Sequence, residues 1–131
     1  MSTHYTDGYP RARQRHRCDM CGRAIRPGET YRRGAGMDGS TAWTWKECRH
    51  CVALVPLVIA ELDPWADEYG SDIVPDWDPT TVAHLRLKVL YLRQWTDRDG
   101  RLYPVPEQVY RDDSTGFPRL VDVVLDGASS R

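Results

Sequence analysis

Two Cys-x2-Cys pairs, Cys18/Cys21 and Cys48/Cys51, stand 26 residues apart and account for every cysteine in the 131-residue chain. Two cysteines separated by two residues can aim both sulfurs at one point. In a tight turn the chain doubles back, and on a helix positions three apart share a face. Two such pairs read as a four-thiolate zinc site with Cys18, Cys21, Cys48 and Cys51 as ligands. The same count and spacing admit a disulfide pair, an iron–sulfur cluster or a redox dithiol. A disulfide is the poorer fit to the N-terminus. Met1 to Arg17 is polar and arginine-rich, without the apolar segment of a secretory signal, so the expected location is the reducing cytoplasm. No apolar run approaches the ~20 residues that span a bilayer. The longest, Val52 to Ala60, contains Pro56.

The two pairs lead into different sequence. Cys21 is succeeded by Gly22, which tolerates the positive φ of a metal-holding knuckle. Cys51 leads into Val52, Val55, Ile59 and Leu62, spaced at three and four, so a helix is expected there. Pro56 interrupts that pattern and predicts a kink or a fresh helix start. Between the pairs, Ala24-Ile25 and Thr30-Tyr31 are short strand candidates around an Arg26-Pro27-Gly28 turn. Gly34 to Ser40 reads as a glycine-rich bend with Asp38-Gly39 at a hairpin tip. Thr41 to Lys46 places Trp43 and Trp45 on one face of a strand. Knuckle, hairpin and helix together resemble the treble-clef zinc finger. In particular, Cys-x2-Cys-Gly-x2-Ile-x2-Gly-Glu-x-Tyr, from Cys18 to Tyr31, is similar to zinc modules of small actinobacterial and phage-type proteins. The resemblance covers residues 17–62 and implies a bound metal.

The expected fold class is α+β, a treble-clef-like zinc module packed with a further helix and short C-terminal elements. Residues 1–16 read as a flexible basic arm, 17–62 as the zinc module and 63–78 as an acidic connector. Residues 79–131 read as the helical C-terminal part of the same domain. In that part Asp78 is the expected cap and Pro79 the first position of a helix reaching about Trp95. Its apolar stripe is Val82, Leu85, Val89 and Leu92, widened by Leu87 and Leu90. Asp99-Gly100 marks a turn. Pro106 to Val109 suggests a brief helix and Leu120 to Leu125 a short strand.

Charge is uneven along the chain. Residues 1–33 hold 8 arginines against Asp7, Asp19 and Glu29, whereas residues 34–80 hold Lys46 and Arg49 against 9 acids. A finger preceded by Arg11, Arg13, Arg15 and Arg17, and carrying Arg23, Arg26, Arg32 and Arg33, suggests contact with DNA or RNA phosphates. Arg17, Arg23, Lys46 and Arg49 could also offset the double negative charge of four thiolates on zinc. The alternative is a protein–protein adaptor that uses Trp65, Tyr69 and Trp77 around the acidic stretch. An enzyme is not expected. Four thiolates close the zinc shell, no glycine-rich phosphate loop is present, and asparagine, which some treble-clef nucleases use, is absent. His50, between two ligands, is expected to face solvent.

Overall fold

A computed structural model describes residues 3–62, 73–112, 114 and 116–125. The chain is α+β and divides into two compact units, Met1–Arg49 and His50–Arg131.

The first unit is built on a three-stranded antiparallel sheet of β1 (Thr3–Gly8), β4 (Tyr31–Asp38) and β5 (Thr41–Cys48), in the order β1-β4-β5. The described part of the expected flexible arm, from Thr3 on, is therefore not free: it starts as a strand. Thr3 to Gly8 pair with β4 from Asp38 back to Arg33. The turn after β1 is fastened as well: the Ala12 amide donates to the Glu29 carbonyl, and the Gly28 and Tyr31 amides donate to Ala12 and Pro10. Arg32 adds a side-chain tie across the sheet, with Nη2 at 3.1 Å from Asp7 on β1 and Nη1 at 3.5 Å from Glu47 on β5. Two shorter strands, β2 (His16–Arg17) and β3 (Ala24–Ile25), pair antiparallel around the first cysteine pair. Ala24-Ile25 thus joins the chain before the knuckle rather than Thr30-Tyr31.

Gly34 to Ser40 is not a bend over its length. β4 runs to Asp38, and only Gly39-Ser40 form the loop, with Gly39 at φ 65°. The physical reason is cross-strand. Gly34 lies opposite Trp45 and Gly36 opposite Trp43, so each strand glycine has a tryptophan as its cross-strand neighbour. An aromatic neighbour makes up for the side chain a strand glycine lacks.

The second unit carries α1 (Arg49–Glu61), α2 (Val82–Leu92) and an antiparallel hairpin of β6 (Glu107–Asp112) and β7 (Pro118–Val124). The unit boundary falls at Arg49/His50. α1 is held by groups later in the chain: Gln108 bonds its backbone, and Trp77 and His84 meet Glu61 at its end. α1 is one continuous helix through Pro56. It buries His50, Cys51, Ala53, Leu54, Val55, Leu57 and Val58, while Ile59 of the expected stripe is exposed. Residues 63–72 of the expected connector lie outside the described residues. Its end is core, with Ile73, Val74 and Trp77 buried.

α2 starts later and buries only the Leu87 and Leu90 side of the expected stripe, with Tyr91 added. Thr81, not Asp78, is the cap, and its hydroxyl accepts the His84 amide at 3.1 Å. That bond satisfies one of the orphan donors of the first turn. The buried positions are Leu87, Leu90 and Tyr91, whereas Val82, Leu85, Val89 and Leu92 are exposed. The helix ends in a Schellman motif: the Trp95 amide donates to the Leu90 carbonyl and the Gln94 amide to Tyr91. Gln94 and Trp95 sit at φ 57° and 61°. Trp95 turns inward and is fully buried. Pro106 begins no helix, because Glu107 to Asp112 pair with β7. No described helix is long and apolar enough to cross a membrane.

Candidate metal centre

The first cysteine pair sits on a knuckle between β2 and β3. The Gly22 amide donates to the Cys18 carbonyl at 3.0 Å, closing a tight turn that puts Gly22 at φ 83°. Only glycine takes that conformation without strain. The knuckle is clamped to β5 by two bonds. The Asp19 amide donates to the Lys46 carbonyl at 2.7 Å, and the Lys46 amide donates to Asp19 Oδ2 at 2.8 Å. Cys48 closes β5, and Cys51 stands in the first turn of α1, three residues on.

The result is convergence. The four sulfurs lie within 4.8 Å of one another, and Cys18, Cys48 and Cys51 are buried. Cys21 and Cys48 sulfurs are 3.8 Å apart. A tetrahedron with metal–sulfur bonds of ~2.3 Å has edges of about 3.8 Å, so this separation is the edge such a site needs. All four cysteines are free, and a disulfide would require sulfurs at about 2.05 Å. The Cys18 sulfur also receives the Met20 amide at 3.4 Å and the Cys48 amide at 3.3 Å. Two N–H donors stabilise a thiolate over a thiol. The arrangement can hold one metal ion.

Of the bases expected to offset the site's charge, Arg23 is the one drawn in. It is 5% exposed, and its guanidinium forms a forked pair with Glu29 at 2.8 and 3.2 Å. Burial works against its charge, but the Glu29 carboxylate and the nearby Cys48 sulfur outweigh it and raise its pKa further. Glu29 is held below the usual carboxylate range. Burial pushes it up, and the hydrogen bonds from Arg23 and from the Arg26 amide more than reverse that. The Gly28-Glu29-x-Tyr31 part of the motif therefore locks the loop beside the knuckle, with Tyr31 5% exposed at the start of β4.

The other arginines divide clearly. Arg23 and Arg32 are engaged in ion pairs within the unit. Arg11, Arg13, Arg15, Arg17, Arg26 and Arg33 are exposed. Arg15, His16 and Arg17 line a groove of about 430 Å³ with Gly22 and Ala24, beside the knuckle. His16–Arg17 is tied into β2, paired with β3.

His50 is buried, contrary to expectation. Its Nε2 lies 2.6 Å from the Tyr103 carbonyl and its ring packs 5.4 Å from Trp95. A carbonyl only accepts, so Nε2 carries the proton. This fixes the residue between two of the cysteines, and no sequence signal announced its distant partner. The adaptor reading loses Trp77, which is 1% exposed and donates to Glu61 at 2.7 Å. Trp65 and Tyr69 lie outside the described residues. No family model, curated protein or solved structure matches this chain.

Proposed function

We propose that Cys18, Cys21, Cys48 and Cys51 hold one zinc ion as the structural centre of a treble-clef-like module, and that this module presents arginines to nucleic acid. The sulfur spacing carries the first part. A multi-iron cluster spreads its thiolates over separate irons, whereas four sulfurs within 4.8 Å suit a single ion. Zinc is the common occupant of a closed four-thiolate site and adds folding energy directly. With the shell closed, the ion has no position for substrate, so the reading is of a binding protein and not an enzyme. Reducing conditions in the cytoplasm suit free thiolates.

The second part is supported by charge placement. The first unit holds ten basic against five acidic residues, six of its arginines are exposed, and Arg15 and Arg17 line the groove beside the knuckle. Phosphate contacts of this kind give affinity that falls steeply with salt. Metal analysis of gently purified protein tests the centre: one zinc per chain is expected, and metal-free folded protein sinks it. Titration with a short duplex and a single strand at several salt concentrations tests the partner. Affinity indifferent to salt, or unchanged in Arg15→Ala/Arg17→Ala, removes nucleic acid from the reading.

A further inference from the structure

α2 has two apolar faces, and the second unit covers only one. Leu87, Leu90 and Tyr91 are buried. On the other side Val82, Leu85, Val89 and Leu92 are 85%, 51%, 37% and 60% exposed. Their spacing of three, four and three is that of the a and d positions of a coiled-coil seam. A helix apolar all round belongs in an interior. Here one long stripe is left in water, a patch of a few hundred Å2, roughly the largest that monomers leave exposed.

The charges beside the seam say what fits it. α2 contains no acidic residue. In heptad terms Arg86 and Arg93 fall at e and Lys88 at g, the positions that meet a partner helix. Among the described residues neither arginine makes an ion pair. Lys88 donates to the Pro75 and Trp77 carbonyls, which hold it in place without neutralising it. A second copy is a poor occupant. Parallel pairing sets Lys88 against Arg93, and antiparallel pairing sets Arg86 against Arg93 and Lys88 against itself. Both are repulsive, and like-charge contacts of this kind exclude wrong partners.

We infer that the Val82–Leu85–Val89–Leu92 face of α2 docks an amphipathic helix of another protein whose flanking positions are acidic. Leucine or isoleucine of the partner fills the seam, and its glutamates meet Arg86 and Arg93. The helix is about 16 Å long, so the complex is short-lived and exchangeable. Neither the inference nor its test depends on the reading of the cysteine centre.

The test uses the full chain as purified and two synthetic helical peptides of about 18 residues, long enough to hold a helix on binding. Both carry leucine at a and d. One has glutamate and its twin has lysine at e and g. Fluorescence anisotropy is expected to show the glutamate peptide binding at least about tenfold tighter, with the gap narrowing at high salt. Leu85→Gln/Leu92→Gln changes only exposed positions, so circular dichroism should be unchanged while binding is lost. Arg86→Glu/Arg93→Glu should reverse the preference between the peptides. Equal binding of both peptides, or no binding of the glutamate peptide, overturns the inference. So does self-association of the chain that Leu85→Gln/Leu92→Gln abolishes, because a second copy would then be the occupant.

Discussion

The side-chain amide of Gln108 donates to the main-chain carbonyl of Val52 at 3.3 Å, and that carbonyl is the one Pro56 leaves without a helical donor. A proline inside a helix removes the bond to the residue four earlier and crowds its carbonyl. Gln108, arriving on β6, supplies the missing N–H and reaches the Ala53 carbonyl at 3.4 Å as well. Its own oxygen accepts from the Tyr110 hydroxyl at 2.8 Å, which orients the amide. α1 therefore passes through Pro56 as one helix because a group 52 residues later completes it. Gln108→Ala is expected to lower the stability of the second unit by about 1 kcal/mol. Pro56→Ala should raise it, and in that background the Gln108→Ala cost should shrink by about 0.5–1 kcal/mol. Urea unfolding monitored by helical circular dichroism measures all three.

Metal removal should act on the first unit through its own fluorophores. Trp43 and Trp45 lie on β5, directly before Cys48, and Trp45 donates to Glu47 at 3.1 Å. Binding worth roughly 10–16 kcal/mol in small fingers is lost with the ion. Chelation is expected to shift tryptophan emission to the red, and Trp43→Phe/Trp45→Phe should largely remove that response. Cys48→Ser, which takes away a buried ligand, should leave the purified protein with well under one metal per chain.

How much of this was legible in the sequence depends on the range of the interaction. The cysteine convergence was, because two residues between ligands is a local constraint and both the knuckle and the helix turn satisfy it. The Trp43/Trp45 strand came from period two, also a local signal. The strand partners were not legible. Gly34 and Gly36 read as a bend until Trp45 and Trp43 are set opposite them, and Thr3 to Gly8 read as an arm until β4 provides its ladder. On α2 the periodicity identified an apolar stripe but not which of two faces the core would take. Leu87, Leu90 and Tyr91 were chosen by tertiary packing. His50 reads as solvent-facing from sequence because its partner, Tyr103, lies 53 residues away.

Acid should expose the Arg23–Glu29 pair. Glu29 is held below its unfolded value of 4.5, so the stability it contributes is complete above that pH. That stability is lost as pH falls through the lower folded value. Arg23 is 5% exposed and would be left as a buried charge without its carboxylate. Glu29→Gln is expected to cost about 1–3 kcal/mol at neutral pH. The wild-type advantage over the variant should shrink below pH 4.5. Comparing the two at equal metal load cancels the protonation of the thiolates, which both share. Chemical denaturation at a series of pH values reads the difference, and a gap that stays constant down to acid would show that the Glu29 charge is not the source of the stabilisation.

Gln94 offers a gain in stability. It occupies the left-handed position of the Schellman motif that ends α2, at φ 57°, and its side chain is exposed. A non-glycine residue there carries a strain of about 1–2 kcal/mol. Glycine would relieve the strain and lose about 0.4–1 kcal/mol through the greater freedom of its unfolded chain. The first effect is the larger, so Gln94→Gly is expected to stabilise the second unit by roughly 0.5–1 kcal/mol. Trp95 also has positive φ, at 61°, but it is fully buried, and the loss of its ring would cost several times more than relief of strain returns. The two neighbours should therefore respond with opposite sign: Gln94→Gly raises the midpoint of thermal unfolding and Trp95→Gly lowers it. If Gln94→Gly proves destabilising, the left-handed conformation at that position is wrong.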